Sequence, residues 1–279
     1  ALVLDAIQRD GITRLFAVPT AIMALTEEQA ARPRDLSSVR LIEYGGAPAS
    51  LALMRRASEV LNVPFSQVFG SSETGGLIAF LKPEEHEKIA LAPLVGADEG
   101  SQPMPCGREV QGYHIRLADE QGREVPTGEV GEMLVRCDSL TSGYWNQPEQ
   151  TAEVLRDGWL HTGDLARRDA DGLLYIVDRK RDMIISGGIN VYSSEVEAAL
   201  LEHASVLEAA VIGEPDERWG ETVAAFIVSR EGAALTEAVL TQFCSERLAD
   251  YKRPKRYVFL SALPKTSSGK VRKVELHNA

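Results

Sequence analysis

Apolar positions recur along the 279-residue chain with two different periods, and the change of period separates two kinds of structure. Residues 1–10 (A-L-V-L-D-A-I-Q-R-D) place apolar residues on one helical face, and Gly11 ends the pattern. Thr13 to Val18 is a short apolar run stopped by Pro19 and predicts a buried strand. A helical period returns over Ile22–Ala31, a second buried strand is expected over Val39–Tyr44, and a second helix over Leu51–Leu61. Pro64–Phe69 predicts a third strand, running into Gly70-Ser71-Ser72-Glu73. Strand, helix, strand, helix, strand is the order of a parallel α/β sheet. In such sheets ligands bind beyond the carboxyl ends of the strands, where both Gly/Ser-rich loops of this chain fall.

From Gly107 the alternation is that of antiparallel β-structure: Tyr113–Leu117, a turn at Asp119-Glu120-Gln121-Gly122, Gly131–Cys137, and Leu173–Val177 after Asp171-Gly172. The charged cluster Asp178-Arg179-Lys180-Arg181-Asp182 follows. Beyond it come the apolar run Met183–Ile185, Ser186-Gly187-Gly188, and a helix from Ser193 or Ser194 to about Glu202, with Ser194 and Glu197 at capping-box spacing. Strands are predicted at Val206–Ile212, Val223–Val228 and Tyr257–Leu260, and a helix at Thr236–Leu248. The fold class is therefore α/β. A partial parallel sheet (1–105) and a mostly β part (106–178) form one large domain, a small α+β domain covers 179–279, and the boundary between them is 178–182. No internal repeat or low-complexity tract is present.

Composition narrows the function. Hydrophobic content of 44% with 25% charged residues is ordinary for a globular protein. No apolar run is long enough for a transmembrane helix, and no signal peptide is visible. The chain opens on Ala1 inside a helical pattern, so it reads as a fragment or a processed form. Three widely spaced cysteines, Cys106, Cys137 and Cys244, form no disulfide or zinc pattern, and a reducing cytoplasm is the expected setting. Five histidines form no metal-ligand motif. The net charge of −11 argues against nucleic-acid binding. Arg247–Lys273 nevertheless carries nine Lys/Arg against one acid, Asp250. It reads either as a solvated basic face or as a surface for polyanionic small molecules.

Within that stretch lies Pro264-Lys265-Thr266-Ser267-Ser268-Gly269-Lys270-Val271-Arg272-Lys273, where Lys270 sits on a small-residue loop. A Walker A loop is excluded, because Val271 replaces the required Ser/Thr and Pro264 takes the place of the first glycine. Six other segments precede it in order: Phe16-Ala17-Val18-Pro19-Thr20, Tyr44-Gly45-Gly46-Ala47-Pro48, Phe69-Gly70-Ser71-Ser72-Glu73-Thr74, Gly143-Tyr144-Trp145-Asn146, Gly158-Trp159-Leu160-His161-Thr162-Gly163-Asp164, and the 178–182 cluster. Together they resemble the adenylate-forming superfamily of acyl-CoA synthetases, luciferases and peptide-synthetase adenylation domains, over essentially the whole chain. Asp178-Arg179-Lys180-Arg181-Asp182-Met183-Ile184-Ile185-Ser186-Gly187-Gly188 resembles its CoA-ligase branch.

The resemblance implies an ATP-dependent acid–thiol ligase of acyl, including fatty-acid, metabolism. It would make an acyl-adenylate and pass the acyl group to CoA, using Mg²⁺ as cofactor and ATP and CoA as co-substrates. Glu73 would hold Mg²⁺, Ser72 would bond the α-phosphate, and Lys270 would bridge substrate carboxylate and α-phosphate. Gly45, Gly46, Ala47, Phe69, Gly70 and Ser71 would receive the nucleotide. Asp164 would grip the ribose hydroxyls, with Arg179 as a second ribose or phosphate contact. Residues 178–182 would be the hinge of a mobile small domain, and Arg181 stands there where the family has Asp or Lys. Ser186, Gly187 and Gly188 would face the pantetheine channel, and Trp219, Tyr251 and Arg253 the nucleotide end of CoA, or else Trp219 and Tyr251 are packing aromatics. Phe16, Ala21, Gly46 and Gly75 would line the acyl pocket. Trp159 and His161 are expected to be structural. The family's Ser/Thr/Gly-rich loop ending in Pro-Lys-Gly is absent, so the chain alone is expected to be inactive or impaired. A non-catalytic AMP- or CoA-binding module and a ligase that loads a carrier protein remain as alternatives, and a homodimer is left open.

Overall fold

The computed structural model describes residues 1–92, 103–266 and 269–277, so Ser267 and Ser268 of the lysine loop lie outside the described residues. The chain divides into two compact units, Ala1–Ile176 and Val177–Ala279.

The first unit begins α1 (Leu2–Asp10), β1 (Arg14–Ala17), α2 (Pro19–Ala31), β2 (Leu41–Gly45), α3 (Leu51–Leu61), β3 (Phe65–Ser71). The three strands are parallel neighbours in chain order. Gly11 closes α1 at φ 62°, Pro19 starts α2, and α3 is capped by Ser50 Oγ, which accepts from the Leu53 amide at 3.2 Å. Asn62 ends α3 in the left-handed region at φ 49°. One expectation is corrected here. The Thr13–Val18 run is not buried: β1 is an outer strand, with Ala17 buried and Phe16 60% exposed, because among the described residues it has a neighbour on one side only.

The sheet then continues with elements the apolar pattern did not predict. β4 (Gly76–Leu81) runs antiparallel to β3, α4 (Pro83–Leu91) packs beside them, and β5 (Arg108–Glu109) completes the order β1-β2-β3-β4-β5. The second sheet follows as β6 (Tyr113–Ala118), β7 (Val130–Cys137), α5 (Pro148–Val154), β8 (Leu155–Arg156), β9 (Trp159–Arg168) and β10 (Leu174–Arg179). Its order is β10-β9-β7-β6, with β8 beside β9. Ile78 and Ala79 of β4 share one apolar core with Ile115, Met133, Val135, Leu160 and Leu174, which joins the two sheets.

The second unit contains β11 (Ile184–Ser186), β12 (Ile189–Val191), α6 (Ser193–Leu201), β13 (Val206–Asp216), β14 (Gly220–Ser229), α7 (Glu237–Ser245), β15 (Arg256–Phe259) and α8 (Lys273–Leu276). The strand order is β12-β11-β14-β13, with β15 parallel to β14. Alternation along β13 and β14 gives the sheet two apolar faces. Val211, Val223, Ala225 and Ile227 pack with Val196, Leu200 and Leu240 of the helices, whereas Ala210, Ile212, Ala224 and Phe226 pack with Leu263 and Leu276. The expected capping box of α6 does not form. Tyr192 is the N-cap, the Ser194 hydroxyl donates to the Val177 carbonyl, and Glu197 accepts from the Val211 amide at 2.9 Å. Among the described residues no helix is long and apolar enough to cross a membrane.

Candidate active site

The parallel strands bring three motif loops to one edge of the first sheet. Gly45 at the end of β2 pairs with Val68 of β3, and the Val18 side chain after β1 lies 3.8 Å from where a Cβ on Gly46 would sit. The need for Gly45 is internal to the fold: a Cβ there would lie 2.3 Å from the Val68 carbonyl oxygen. Gly46 turns the chain at φ 81°, and Gly46 and Ala47 are exposed. Below this loop, buried Tyr44 meets the ring of buried His86, with Tyr44 Oη and His86 Nε2 3.1 Å apart. Burial pushes the Tyr44 phenol up and the His86 imidazole down to about 4, so His86 is neutral at pH 7.

Phe69 is half-buried against the core shared by the two sheets. Gly70 admits β4, since a Cβ there would lie 2.1 Å from the Gly76 carbonyl oxygen. Ser72, Glu73 and Thr74 form a 3₁₀ turn after Ser71, and Gly75 closes it at φ 73°. Thr74 is buried: its hydroxyl is 2.9 Å from the Ser71 carbonyl, and its own carbonyl accepts from Ser139 Oγ at 2.7 Å and Tyr113 Oη at 3.2 Å. Ser72 is exposed and Glu73 half-buried. Tyr144 Oη donates to Glu73 Oε1 at 2.8 Å, and the Thr141 amide donates to the Glu73 carbonyl at 2.7 Å. Burial first, and the Glu73 carboxylate second, raise the Tyr144 phenol above its ordinary value. The loop after β7 thus holds both ends of Glu73.

Asp164 sits on β9, buried to 6% exposure. Its amide donates to Thr162 Oγ1 at 3.0 Å, and that hydroxyl donates to the Met133 carbonyl at 2.8 Å. Buried Cys106 has its thiol pushed up to about 12, chiefly by burial and further by the Asp164 carboxylate. Trp159, on the same strand, has the guanidinium groups of Arg116 and Arg136 over its ring, each 4.7 Å from the ring centroid. Of the acyl-pocket candidates, Phe16 lies on the outer strand β1, Ala21 is exposed in the first turn of α2, and Gly75 is exposed at the 3₁₀ turn.

In the second unit Asp178 is buried and Arg179 and Arg181 are exposed, with Arg181 Nε 3.6 Å from Asp182 Oδ1. Gly187 and Gly188, at φ 59° and 79°, form the two-residue turn between β11 and β12, where Ser186 pairs with Ile189. The turn is fastened to Trp219: the Gly187 amide donates to the Trp219 carbonyl at 2.8 Å, and a Cβ on Gly187 would lie 2.9 Å from the indole ring. Arg218 covers the same ring at 4.6 Å. Tyr251 is exposed on a 3₁₀ turn. Arg253 instead closes the carboxyl end of α7, donating to the Leu248 carbonyl at 2.8 Å and the Ser245 carbonyl at 3.2 Å.

Lys270 belongs to a tight hairpin. Lys265 and Val271 form a β-bridge, the Thr266 amide donates to the Lys270 carbonyl at 2.8 Å, and Gly269 turns at φ 84°. The surrounding basic stretch is not an open cationic face. Arg247 pairs with Glu202, Lys252 with Glu195, Arg253 and Lys255 with Asp250, Arg256 with Glu214, Lys265 with Glu208, Arg272 with Glu275, and Lys273 with Glu197. Most of these acids lie outside the sequence window, which is why the count of charges along the chain overstated the excess. Lys270 is exposed and has no carboxylate partner among the described residues.

The AMP-binding enzyme family model matches residues 1–145, and the AMP-binding enzyme C-terminal domain matches 195–270. The chain belongs to the AMP-binding enzyme family. The chain is 39% identical over 277 residues to a medium/long-chain fatty-acid–CoA ligase of Mycobacterium tuberculosis, covering 97% of this chain and 46% of the relative. It is 38% identical to a fatty acid–[acyl-carrier-protein] ligase of Streptomyces coeruleorubidus, over 98% of this chain and 51% of that protein. The o-succinylbenzoate CoA synthetase of Bacillus subtilis, solved with its acyl-adenylate intermediate, superposes with a TM-score of 0.85 at 34% identity, covering 99% of this chain and 53% of that one. The chain spans about half the length of the curated relatives it matches. Tyr144, Thr74 and Thr162 support the motif loops through hydrogen bonds, and residue-type reasoning left them without roles. Each lies inside a segment already singled out, but its partner is distant in sequence.

Proposed function

We propose that the protein containing this chain is an ATP-dependent acyl-CoA ligase. In the first half-reaction a carboxylate oxygen of the acid attacks the α-phosphorus of ATP. The new O–P bond forms as the bond to the β-phosphate oxygen breaks, giving acyl-adenylate and pyrophosphate. In the second, the CoA sulfur attacks the acyl carbonyl, the C–O bond to AMP breaks, and the thiol proton leaves to solvent. The observation that carries this reading is the similarity to a fatty-acid–CoA ligase over 97% of the chain.

The residues fit these steps. Gly46 and Ala47 offer exposed backbone next to buried Gly45, and Phe69 a ring edge, for the adenine, with Gly70 and Ser71 beside them. Asp164 supplies two acceptor oxygens for a vicinal diol, with Arg179 as a further contact. Ser72 presents a hydroxyl to the α-phosphate. Glu73, fixed by Tyr144 at 2.8 Å, suits Mg²⁺, a hard ion that takes one or two carboxylates along with substrate phosphates. When bound, the ion would offset charge on the leaving pyrophosphate. Lys270, an exposed cation without a carboxylate partner among the described residues, would meet the charge that develops at the α-phosphate. Residues 178–182 are the proposed hinge, with Arg181 at its centre. The Gly187-Gly188 turn, Trp219 and Tyr251 form the proposed CoA contact, while the bonds of Arg253 to α7 favour a supporting role. Three free cysteines, Cys106, Cys137 and Cys244, suit a reducing cytoplasm.

A second reading, transfer to a carrier-protein thiol, is favoured by the similarity to the Streptomyces coeruleorubidus ligase. A panel of carboxylic acids offered to the full-length protein with ATP and Mg²⁺ separates the two. Acid-dependent pyrophosphate release with CoA thioester formation is expected. Release followed by transfer only to a carrier protein would establish the second reading, and no release with any acid would contradict both.

A further inference from the structure

A line of buried polar groups in the second unit joins the end of β10 to the root of the Lys270 hairpin. Asp178 is 8% exposed and its carboxylate accepts from Ser193 Oγ at 2.9 Å, from the Arg179 amide at 2.7 Å and from the Ser194 amide at 3.3 Å. Ser193 is fully buried and its hydroxyl accepts from Lys273 Nζ at 2.7 Å. Lys273 Nζ also pairs with Glu197 Oε1 at 2.6 Å, and Glu197 is tied to β13 through the Val211 amide at 2.9 Å. The polarity runs one way: ammonium to hydroxyl, hydroxyl to carboxylate. The serine's single proton is committed to Asp178 and one of its lone pairs to Lys273, so the two charged groups are held through one shared atom.

Lys273 starts α8, whose Leu276 is buried at 1% exposure. The preceding Arg272 amide donates to the Pro264 carbonyl at 2.8 Å, which closes the hairpin carrying Lys270. Asp178 is the first residue of the charged cluster. We infer that Asp178, Ser193, Lys273 and Glu197 form a rigid relay that fixes the Lys270 hairpin relative to the 178–182 segment, making Lys273 and Ser193 positioning residues for Lys270. With Lys270 exposed and carried by a glycine turn, its reach depends on where the hairpin root is anchored. Lys273 itself is half-buried, its side chain 17% exposed, and does not contact substrate in this scheme. The catalytic consequence rests on the ligase reading; the mechanical coupling does not.

Two measurements separate these. Native-state hydrogen exchange on this chain reads the Arg272, Gly269 and Thr266 amides, the Ser194 and Arg179 amides, and Ala225 in β14 as a control. Ser193→Ala should speed exchange at Arg272 as well as at Ser194 by roughly tenfold, the scale of a lost charge-assisted hydrogen bond, with Ala225 still protected. Ser193→Thr, which keeps the hydroxyl, should restore slow exchange. Faster exchange at Ser194 alone would overturn the relay. Should Ser193→Ala also release Ala225, Lys273→Gln carries the same test in reverse: protection at Ser194 and Arg179 must fall, and unchanged protection there overturns the relay. In the full-length protein, Lys273→Gln should slow adenylation by about 10- to 100-fold, as misplacement of a reacting group does. Thioester formation from supplied acyl-adenylate should be spared, and Lys273→Arg should recover adenylation. Equal loss in both half-reactions would mean a structural role only. Coupled exchange in a protein whose wild type makes no acyl-adenylate would leave the relay standing and remove the ligase reading.

Discussion

The Glu73 carboxylate is positioned by a phenol from the loop after β7, and that contact gives the residue-scale account its test. Tyr144→Phe keeps the ring and removes only the hydroxyl that donates to Glu73 at 2.8 Å. A hydrogen bond to a charged group is worth about 1.5–3 kcal/mol. In the full-length protein the change should therefore lower adenylation by roughly tenfold or more and raise the Mg²⁺ concentration needed for half-maximal rate. The melting temperature should stay near that of the wild type, because Tyr144 is only half-buried. Unchanged Mg²⁺ dependence would remove Tyr144 from the site. The residue types of the site were legible in the sequence, since Ser72, Glu73, Asp164 and Lys270 all stand in recognisable segments. Their supports were not. Nothing local to Ser193 says that its hydroxyl joins Asp178 to Lys273, and nothing in Gly45 says that Val68, rather than a nucleotide, forbids a side chain there.

At the scale of elements, the helix α4 and the strands it covers carry a pH-sensitive core. His86, buried against Tyr44 and Phe65, is pushed down to about 4 by burial, below the ordinary value near 6.5. The unfolded chain therefore takes up the proton first. The contribution to stability, about 3 kcal/mol, is complete above about pH 6.5 and is lost as pH falls toward about 4. Urea unfolding of the first unit should show this loss between about pH 6.5 and 4, and His86→Leu should flatten it. An identical slope in the variant would place the titration elsewhere. Elements with clear punctuation were legible: α3 spans Leu51–Leu61 as the pattern predicts, with Ser50 and Asn62 as its visible ends. β9 was not, because His161, Thr162, Gly163 and Asp164 interrupt the apolar alternation with the residues that make it useful. β4 reads as a continuous apolar run after two glycines and shows no period. The Ser194–Glu197 spacing predicted a capping box, but tertiary partners took both side chains, so spacing permits a cap without requiring one.

For the whole molecule, the order of motifs was more informative than any one of them. The chain's acidity conceals how its charges are used. Eight of the nine cations between Arg247 and Lys273 are joined to carboxylates, and Lys270 stands apart on its hairpin. The central claim is that this lysine serves one half-reaction and not the other. Its most direct test is Lys270→Ala in the full-length protein, assayed separately for pyrophosphate release from acid and ATP and for thioester formation from supplied acyl-adenylate and CoA. The account predicts near-complete loss of the first with the second retained; equal loss of both, or retention of both, would contradict it.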